Sequence, residues 1–395
     1  MTTTLDILIQ PDDTRPLDRA AESLPARPGV VAFENAAGDA LLLAATGDLR
    51  RFALTRLGRP DEQTPASREN LAPITARLRA RVVGSAFEGD ALYLEEARTR
   101  LPQTYRSVLD TRRAWCVHLD PEADPPVWRR LDLLGASVEP AHPGTLIGPF
   151  RDKHAATRFA ERLDDLFDLC RTPRELEIAP RGRACAYKEM GRCDAPCDGS
   201  AGMEAYRARV RDAVRFAAQP VALSLSAIEQ RMSRAAATQD FELAQSLKSR
   251  MERIARGVKP TTTWRSTLDR FMVLGAFPST RRGRARLFLA TASAIEPWAD
   301  VAGDISPEDA HELMQPILAG ASRLRPTRPL APHECERLGL LARHLYNPGR
   351  GAGGLLALDP PPEGAALCTL IRRAAKVRDD SPDEEVVETQ LGLND

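Results

Sequence analysis

Four cysteines between residues 170 and 197 are the part of the sequence whose residue types and spacing most directly indicate chemistry. Their spacing is C-x14-C-x7-C-x3-C. Four thiolates can complete either a cubane iron–sulfur cluster or a tetrahedral zinc site, and the presence of only one close pair favours iron–sulfur. The alternative is four incidental buried cysteines, since this residue is often found inside proteins. The candidate ligands are Cys170, Cys185, Cys193 and Cys197.

The charge balance excludes a protein whose whole surface clamps nucleic acid. Basic and acidic residues are equal, at 55 each in a chain of 395 residues, whereas such proteins carry a basic excess. We expect any contact with DNA to come from local basic runs, and solvated surface is the alternative interpretation of each run. The candidate DNA-binding residues are Arg50, Arg56, Arg281, Arg282 and Arg284.

The sequence predicts a cytoplasmic protein with no membrane partner. Its N-terminal residues lack the basic start and apolar run of a signal peptide, and no stretch is apolar for long enough to span a bilayer. Thiols stay reduced in the cytoplasm, so clustered cysteines there more often hold metals than form disulfides.

Residues 220–258 predict a pair of antiparallel helices. Apolar residues recur three or four positions apart on both sides of a short link, which is the helical period. Thr238 and Asp240 lie in this link and are good capping residues for a second helix. Such a hairpin buries little by itself, so its apolar stripe favours a helical partner. The alternative is that the stripe packs against the hairpin's own domain.

The whole sequence predicts a multi-domain α+β protein. Residues 23–110 alternate apolar strands with helical segments, as in a small α/β unit. Residues 111–219 predict a helical linker that carries the cysteines, and residues 260–376 predict a reduced C-terminal unit of strands followed by helices. Residues 377–395 are acidic, and we expect this tail to be disordered.

Three segments resemble the UvrC family of excision-repair proteins, in that family's own order. LPARPGVVAFENAAGDALLLAATGDLRRF is similar to the start of its GIY-YIG nuclease domain. GPFRDKHAATRFAERLDDLFDL, followed by RACAYKEMGRCDAPCDG, resembles its linker and cysteine region. IEQRMSRAAATQDFELAQSLKSRMERI resembles its UVR motif, the hairpin that engages UvrB.

The resemblance implies a cofactor and a partner. It implies a [4Fe-4S] cluster on the four cysteines, with zinc as the alternative, and Cys170 departs most from the family's pattern. It also implies that the helical pair binds UvrB or another UVR-type hairpin. The residues expected at that interface are Met232, Asp240, Phe241, Glu242, Leu247 and Met251.

The residues that carry GIY-YIG catalysis have changed in this chain. Val31 and Leu42 stand where the family has tyrosines, and neither side chain has a transferable proton. Phe52 stands at the position of the catalytic arginine, with Arg51 next to it, and Glu95 matches the metal-binding glutamate. The resemblance therefore predicts a folded but inactive nuclease domain. Glu95 and Arg51 would be remnants, and a divalent metal would bind only if activity survives.

The family's second nuclease, an RNase H-like domain, is not recognisable either. The nearest match to its acidic segment, Asp304-Ile305-Ser306, is followed by Pro307 where the family has a histidine, and no helix-hairpin-helix pattern follows.

We predict a non-catalytic or weakly catalytic UvrC-like protein of nucleotide excision repair and the DNA-damage (SOS) response, which binds UvrB and DNA. Two alternatives stay open: a metal-dependent single-incision endonuclease, and a metal- or redox-responsive regulator.

Overall fold

The computed structural model describes residues 5–58, 70–106, 113–135, 142–218, 221–257, 264–347, 353–376 and 387–390. These residues form an α+β structure with three antiparallel sheets. None of the helices in the described ranges has the length and apolar character needed to cross a membrane. The strands are β1 Ile7–Ile9, β2 Gly29–Glu34, β3 Ala40–Thr46, β4 Arg77–Val82, β5 Trp115–His118, β6 Arg129–Asp132, β7 Leu146–Phe150, β8 Ser266–Thr267, β9 Met272–Pro278, β10 Arg284–Thr291, β11 Ile295–Ala302, β12 Gly354–Ala357 and β13 Val387–Gln390. The helices are α1 Leu17–Ala20, α2 Leu49–Arg56, α3 Ala86–Arg100, α4 Lys153–Phe167, α5 Pro173–Glu177, α6 Ala186–Glu189, α7 Met203–Ala217, α8 Val221–Ala237, α9 Phe241–Gly257, α10 Pro307–Arg323, α11 Pro332–Tyr346 and α12 Gly364–Ala375.

The N-terminal sheet has the strand order β1-β4-β2-β3-β13 and is covered on both faces. Alternate residues of a strand point to opposite faces. Val31 and Phe33 of β2 join Leu42 of β3 in the apolar cluster under α2, whereas Val30 and Ala32 pack in the cluster that contains α3. Helices α2 and α3 therefore lie on opposite faces of this sheet.

Part of the acidic tail forms an edge strand of the same sheet. Strand β13 pairs antiparallel with residues 42–45 of β3. The expectation of disorder is wrong for these residues, because their backbone groups complete the ladder on the otherwise open side of β3. The rest of the tail, residues 377–386 and 391–395, lies outside the described ranges.

A second sheet, with the strand order β6-β5-β7-β8, lies in the middle of the chain. Helix α4 packs on this sheet and on α7, and the facing side chains form one core. Asp152 caps α4 by accepting the N–H of Ala155 at 2.7 Å. The side chains of α4 in this core are Ala155, Ala156, Phe159, Ala160, Leu163 and Phe167.

Helices α8 and α9 pack against each other as a hairpin. Gln239 takes a left-handed conformation in the link between them, and the Asp240 carboxylate accepts the N–H of Leu243 at 3.1 Å. The hairpin does not stand alone, because Ile228 and Leu247 join the core beneath the middle sheet.

The C-terminal sheet has the strand order β11-β10-β9-β12, and α10 and α12 cover one of its faces. The other face packs on α3 and α11. Phe87 of α3 stacks on Phe277 of β9, with ring centroids 4.6 Å apart, and meets Phe288 of β10 edge-on at 5.3 Å. The N-terminal and C-terminal units therefore share one core.

Candidate functional site

The four cysteines lie on the irregular loop that joins α4 to α7, here called the cysteine loop (residues 168–202). Asp168 and Ala195 take left-handed backbone conformations in this loop, so the chain turns sharply at both positions. The short helices α5 and α6 occupy part of the remaining length. Three of the thiols are buried and one is half-buried: Cys170, Cys193 and Cys197, and then Cys185.

The four thiols share one electrostatic neighbourhood. Burial, aided by the nearby thiols of Cys193, Cys197 and Cys185, raises the pKa of the Cys170 thiol to about 11. Burial likewise raises the pKa of Cys197. In the described residues, no three His, Cys, Asp or Glu side chains converge closely enough to hold a metal ion. The thiols are therefore grouped without forming a closed ligand shell.

Four thiol side chains are the residue types of a thiolate-bound metal site. Four sulfur ligands suit both a [4Fe-4S] cluster and zinc, and a metal supplies the stabilisation that a buried thiolate otherwise lacks. Gly182 fixes the backbone of Cys197, since its N–H donates to the Cys197 carbonyl at 2.8 Å. A Cβ at Gly182 would overlap the carbonyl of Glu175, so glycine is needed where the loop passes α5.

Cys170 is anchored from α7. Its backbone N–H donates to the hydroxyl of Tyr206 at 3.1 Å, and both residues are buried. Burial raises the pKa of Tyr206 above its usual range, so the hydroxyl stays protonated. Sequence reasoning missed Tyr206, because in the helical pattern it is one more residue on the buried face of α7. The cysteine that departs most from the family's pattern thus has a specific positioning partner.

A buried carboxylate lies close to this anchor. Asp164 of α4 accepts the indole N–H of Trp128, with oxygen–nitrogen distances of 3.1 and 3.0 Å. Burial raises the pKa of Asp164 to about 7, so this carboxyl group changes its charge near neutral pH. Asp164 also contributes to the raised pKa of Tyr206, which puts both groups in one electrostatic environment.

The residues predicted to bind a partner divide into two groups. Phe241 is 68% exposed at the start of α9, beside the exposed Asp240 and Glu242. Leu247 is only 4% exposed and packs into the core beneath the middle sheet. The tip of the hairpin is therefore open to a partner, while the middle of its stripe packs against the chain itself. Two further stripe residues are partly buried against the same core, Met232 and Met251.

The hairpin also touches the cysteine loop and the end of α4. The guanidinium group of Arg250 lies 4.0 Å from the centre of the Phe167 ring, and Arg253 pairs with Asp168 at 3.7 Å. A cleft of about 400 Å³ opens between α9 and the loop. A change in the loop would therefore reach α9 directly. The cleft is lined by Asp168, Gly191, Arg192, Ser246, Ser249, Glu252 and Arg253.

Comparison with known proteins identifies the segment that holds these features. Residues 129–216 match the family model described as UvrC/Cho excinuclease, middle domain. This range contains α4, the cysteine loop and all of α7 except its last residue. The chain is UvrC-like.

Matches to curated relatives cover more of the chain than that segment does. The chain is 30% identical to UvrABC system protein C of Natronomonas pharaonis over 247 residues, which cover 60% of this chain and 39% of the relative. It is 29% identical to the protein of the same name from Sphingopyxis alaskensis, over 61% of this chain and 37% of the relative. For Nitrosomonas europaea the identity is 26%, over 59% and 37% of the two chains. The chain therefore spans about two fifths of the length of these curated relatives. No solved structure matches it.

One face of the N-terminal sheet carries the positions compared above with GIY-YIG residues, and this face is filled with apolar side chains. Val31 and Leu42 are fully buried, and Phe52 of α2 packs in the same cluster. Arg56 is buried as well, with its guanidinium group 5.7 Å from the centre of the Phe52 ring. The apolar cluster offers neither a proton carrier nor a metal ligand.

The structure does not bring Glu95 and Arg51 together. Glu95 belongs to α3, on the opposite face of the sheet from α2. It pairs with Arg98 and with Arg337 of α11, the latter at 2.8 Å. Arg51 is exposed on α2, and its backbone N–H donates to the capping carboxylate of Asp48. Glu95 is thus part of the contact between α3 and α11.

The segment compared with the acidic RNase H motif is the start of a helix. Ser306 is the N-cap of α10, and its hydroxyl accepts the N–H of Asp309 at 3.0 Å. The Asp309 side chain in turn accepts from the Ser306 backbone, which completes a capping box. Pro307 occupies the first helical turn, where proline is favoured. These contacts account for the residue types at this position without catalysis.

The five arginines predicted to bind DNA differ in exposure. Arg56 is buried and cannot reach a phosphate. Arg284 is partly buried in an ion pair on β10. Arg50, Arg281 and Arg282 are exposed, and the Arg50 Nε donates to the Leu24 carbonyl at 2.7 Å.

Proposed function

We propose that this UvrC-like chain serves nucleotide excision repair as a docking protein, and that its hairpin tip binds UvrB or another UVR-type hairpin. The observation that carries the proposal is Phe241, which is 68% exposed at the tip. Leu247, on the same helix, is held in the chain's own core. Large exposed aromatic side chains on a fixed support are typical anchors of protein interfaces, and a helical pair offers them to a partner helix.

We propose further that the GIY-YIG-like unit of this chain has a structural role and does not cut DNA. The apolar cluster around Val31 and Leu42 supports this, because it lacks groups that could move a proton. The distance in the fold between Glu95 and Arg51 argues against the single-incision alternative, which needs both at one site. On this proposal no divalent metal is used for hydrolysis.

The cysteine loop is proposed to hold a [4Fe-4S] cluster, with zinc as the alternative. Cys170, Cys185, Cys193 and Cys197 would be the ligands, and their shared neighbourhood supports this. A cluster would cross-link the loop and supply one-electron chemistry. Protein purified without oxygen should contain about four iron atoms per chain. One zinc atom without iron would favour the zinc site, and the absence of both metals would contradict the proposal.

A second candidate function is favoured by the contact between the hairpin and the cysteine loop. Arg253 and Arg250 of α9 bind Asp168 and Phe167, at the point where α4 enters the loop. A loop that rearranges on losing its metal would disturb these contacts, so the chain could signal metal or redox state through partner affinity. In that case, removal of the metal should change the affinity for UvrB measurably.

The docking proposal is tested by the Phe241→Ala variant of the full chain. Truncating an interface anchor commonly costs 2 kcal/mol or more, so we expect binding to UvrB to weaken by roughly thirtyfold or more. The measurement is a titration of UvrB's C-terminal hairpin by calorimetry or fluorescence anisotropy.

The matched control is Ile74→Ala, which removes an apolar side chain that is 43% exposed elsewhere. We expect this variant to bind as the wild type does. Equal affinity of the Phe241→Ala chain and the wild type would contradict docking through the hairpin tip.

A further inference from the structure

Basic residues that are far apart in the sequence meet where the N-terminal and C-terminal units join. We propose that they form one surface, here called the junction surface, that binds the phosphate backbone of double-stranded DNA. The inference rests on the repair role proposed above and assigns a place on the molecule to its DNA contact. Its exposed members are Arg50, Arg51, Arg281, Arg282, Arg373 and Lys376.

Arg27 links the two halves of the junction surface. Its carbonyl accepts the N–H of Leu49 at 3.0 Å, in the first turn of α2. Its guanidinium group donates to the carbonyl of Thr280 at 2.9 Å, in the turn between β9 and β10. Leu49, at the start of α2, is thus separated from Thr280 of the β9–β10 turn by one arginine residue. Arg50 and Arg51 follow Leu49 on α2, and the Arg50 Nε donates to the Leu24 carbonyl at 2.7 Å.

The end of α12 extends the surface on the other side of the same turn. The N–H of Gly303 donates to the carbonyl of Gly283 at 2.9 Å. A Cβ at Gly303 would overlap that of Ala375, so the last turn of α12 lies against the β9–β10 turn. Arg373 and Lys376 belong to this end of the helix.

Two acidic groups near the junction surface, Asp300 and Glu88, are engaged, and a third, Asp304, is exposed next to Gly303. Asp300 binds Arg284 at 3.1 Å and Ser279 at 2.7 Å. Glu88 accepts the N–H of Gly84 at 2.8 Å and pairs with Arg286. Within the described residues, no carboxylate is paired with the exposed guanidinium groups of the β9–β10 turn. The β9–β10 turn therefore presents the positive charges of Arg281 and Arg282 to solvent, in a chain whose total charge is zero.

The composition of the surface favours a phosphate backbone over an acidic protein. Guanidinium groups are suited to phosphate oxygens, and such contacts position a duplex without reading its sequence. A protein interface would require apolar anchors at its centre. None of the exposed large apolar side chains in the described residues belongs to α2, the β9–β10 turn or the end of α12.

The experiment measures binding of the full chain to a mixed-sequence DNA duplex over a series of salt concentrations. We expect the double variant Arg281→Ala/Arg282→Ala to bind roughly tenfold more weakly. The slope of log affinity against log salt should fall by about 1.8, which corresponds to two lost phosphate contacts. The double variant Arg50→Ala/Arg51→Ala should behave in the same way, because it removes cations from the other half of the same surface.

The matched control is Arg129→Ala/Arg158→Ala, which removes two exposed arginines from the middle unit. It should leave the affinity for DNA and the slope of log affinity against log salt unchanged. The inference is overturned if the control weakens binding as much as the junction variants do, or if neither junction variant changes the salt slope. It is also overturned if polyglutamate displaces the chain from DNA as readily as unlabelled duplex does. UvrB binding by the junction variants should equal that of the wild type, so loss of DNA binding is distinguishable from failure of hairpin docking.

Discussion

At the scale of single residues, the hydrogen bond between Tyr206 and Cys170 decides where the first cysteine of the loop lies. The bond is buried and joins two elements that are distant in the sequence. In Tyr206→Phe the Cys170 N–H would lose its acceptor, which costs about 1–3 kcal/mol of folding free energy. If Cys170 is a ligand, iron bound per chain should fall while the remaining protein stays folded. The measurement is iron and sulfide analysis together with urea unfolding.

The control for Tyr206 is Tyr187→Phe, which removes a hydroxyl in the same loop. The Arg171 guanidinium lies 4.3 Å from the centre of the Tyr187 ring, a contact that does not involve the hydroxyl. The Tyr187→Phe variant should therefore keep the stability and the iron content of the wild type. An iron content that is unchanged in Tyr206→Phe would argue that Cys170 is not positioned by this bond.

The buried carboxyl group of Asp164 should make the free energy of unfolding depend on pH. Burial raises its pKa from 3.8 to about 7 in the folded chain, so the folded state holds this proton more tightly than the unfolded state. Stability from this group is therefore full below about pH 4 and is lost as pH rises to about 7, by up to about 1.4 kcal/mol per pH unit. Asp164→Asn should remove this loss while leaving an oxygen for the Trp128 N–H.

The measurement for Asp164 is urea unfolding at pH 5 and pH 7. We expect the wild type to lose on the order of 2 kcal/mol relative to Asp164→Asn between these two values. Asp165→Asn, at an exposed neighbouring position, should follow the wild type. Parallel pH profiles for Asp164→Asn and the wild type would show that the carboxyl group does not titrate in this range.

The sequence identified the cysteines as a group because they are close together in the chain, but it did not identify what holds them. Tyr206 and Arg27 act through bonds to residues 170 and 280, and no local pattern marks such contacts. The loss of catalytic hydroxyl groups at Val31 and Leu42 could be predicted from the sequence, because it follows from the residue types alone. The conversion of their surroundings into an apolar cluster required the fold.

At the scale of secondary-structure elements, periodicity predicted type and approximate length well. The helical period of the apolar residues over 151–169 predicts a helix, and α4 spans Lys153–Phe167. The sequence likewise predicts a helix from about 203 to 218, and α7 spans Met203–Ala217. An apolar stripe shows that a helix face is buried but not what covers it. For this reason Leu247 was expected at a partner interface, while the structure packs it against the middle unit.

This packing predicts that Leu247 and Phe241 affect different properties. Leu247→Ala should weaken the packing of the hairpin on the middle unit by about 2–4 kcal/mol, because it leaves a cavity in a closed core. Hydrogen exchange in α8 and α9 should then become faster. Leu243→Ala, which truncates a leucine that is 43% exposed on the same helix, should leave exchange unchanged. Equal exchange in the Leu247→Ala chain and the wild type would mean that the hairpin does not pack on the middle unit in solution.

At the scale of the whole molecule, the N-terminal and C-terminal units are joined by more than chain connectivity. Phe87 packs on two phenylalanines of the C-terminal sheet, and His344 of α11 lies 2.9 Å from Asp90 of α3. The sequence predicts residues 23–110 and 260–376 as two separate units. No sequence pattern indicates that segments so far apart in the chain share one core. The same joint creates the junction surface, so its charge arrangement depends on the units staying together.

The shared core predicts that the two units unfold together and that Phe87 couples them. In the wild type, pulsed hydrogen exchange in urea should give the same midpoint for β2 and for β10. Phe87→Ala removes the central ring at a cost of about 3–5 kcal/mol, so the two midpoints should separate. Phe52→Ala deletes a ring of the same size on the far face of the N-terminal sheet. It should lower stability and keep the midpoints coincident, because the joint is intact.

Separate midpoints in the wild type, or coincident ones in Phe87→Ala, would show that the rings do not couple the units. The junction surface would then be two independent basic patches, and its two double variants should differ in their effect on DNA binding.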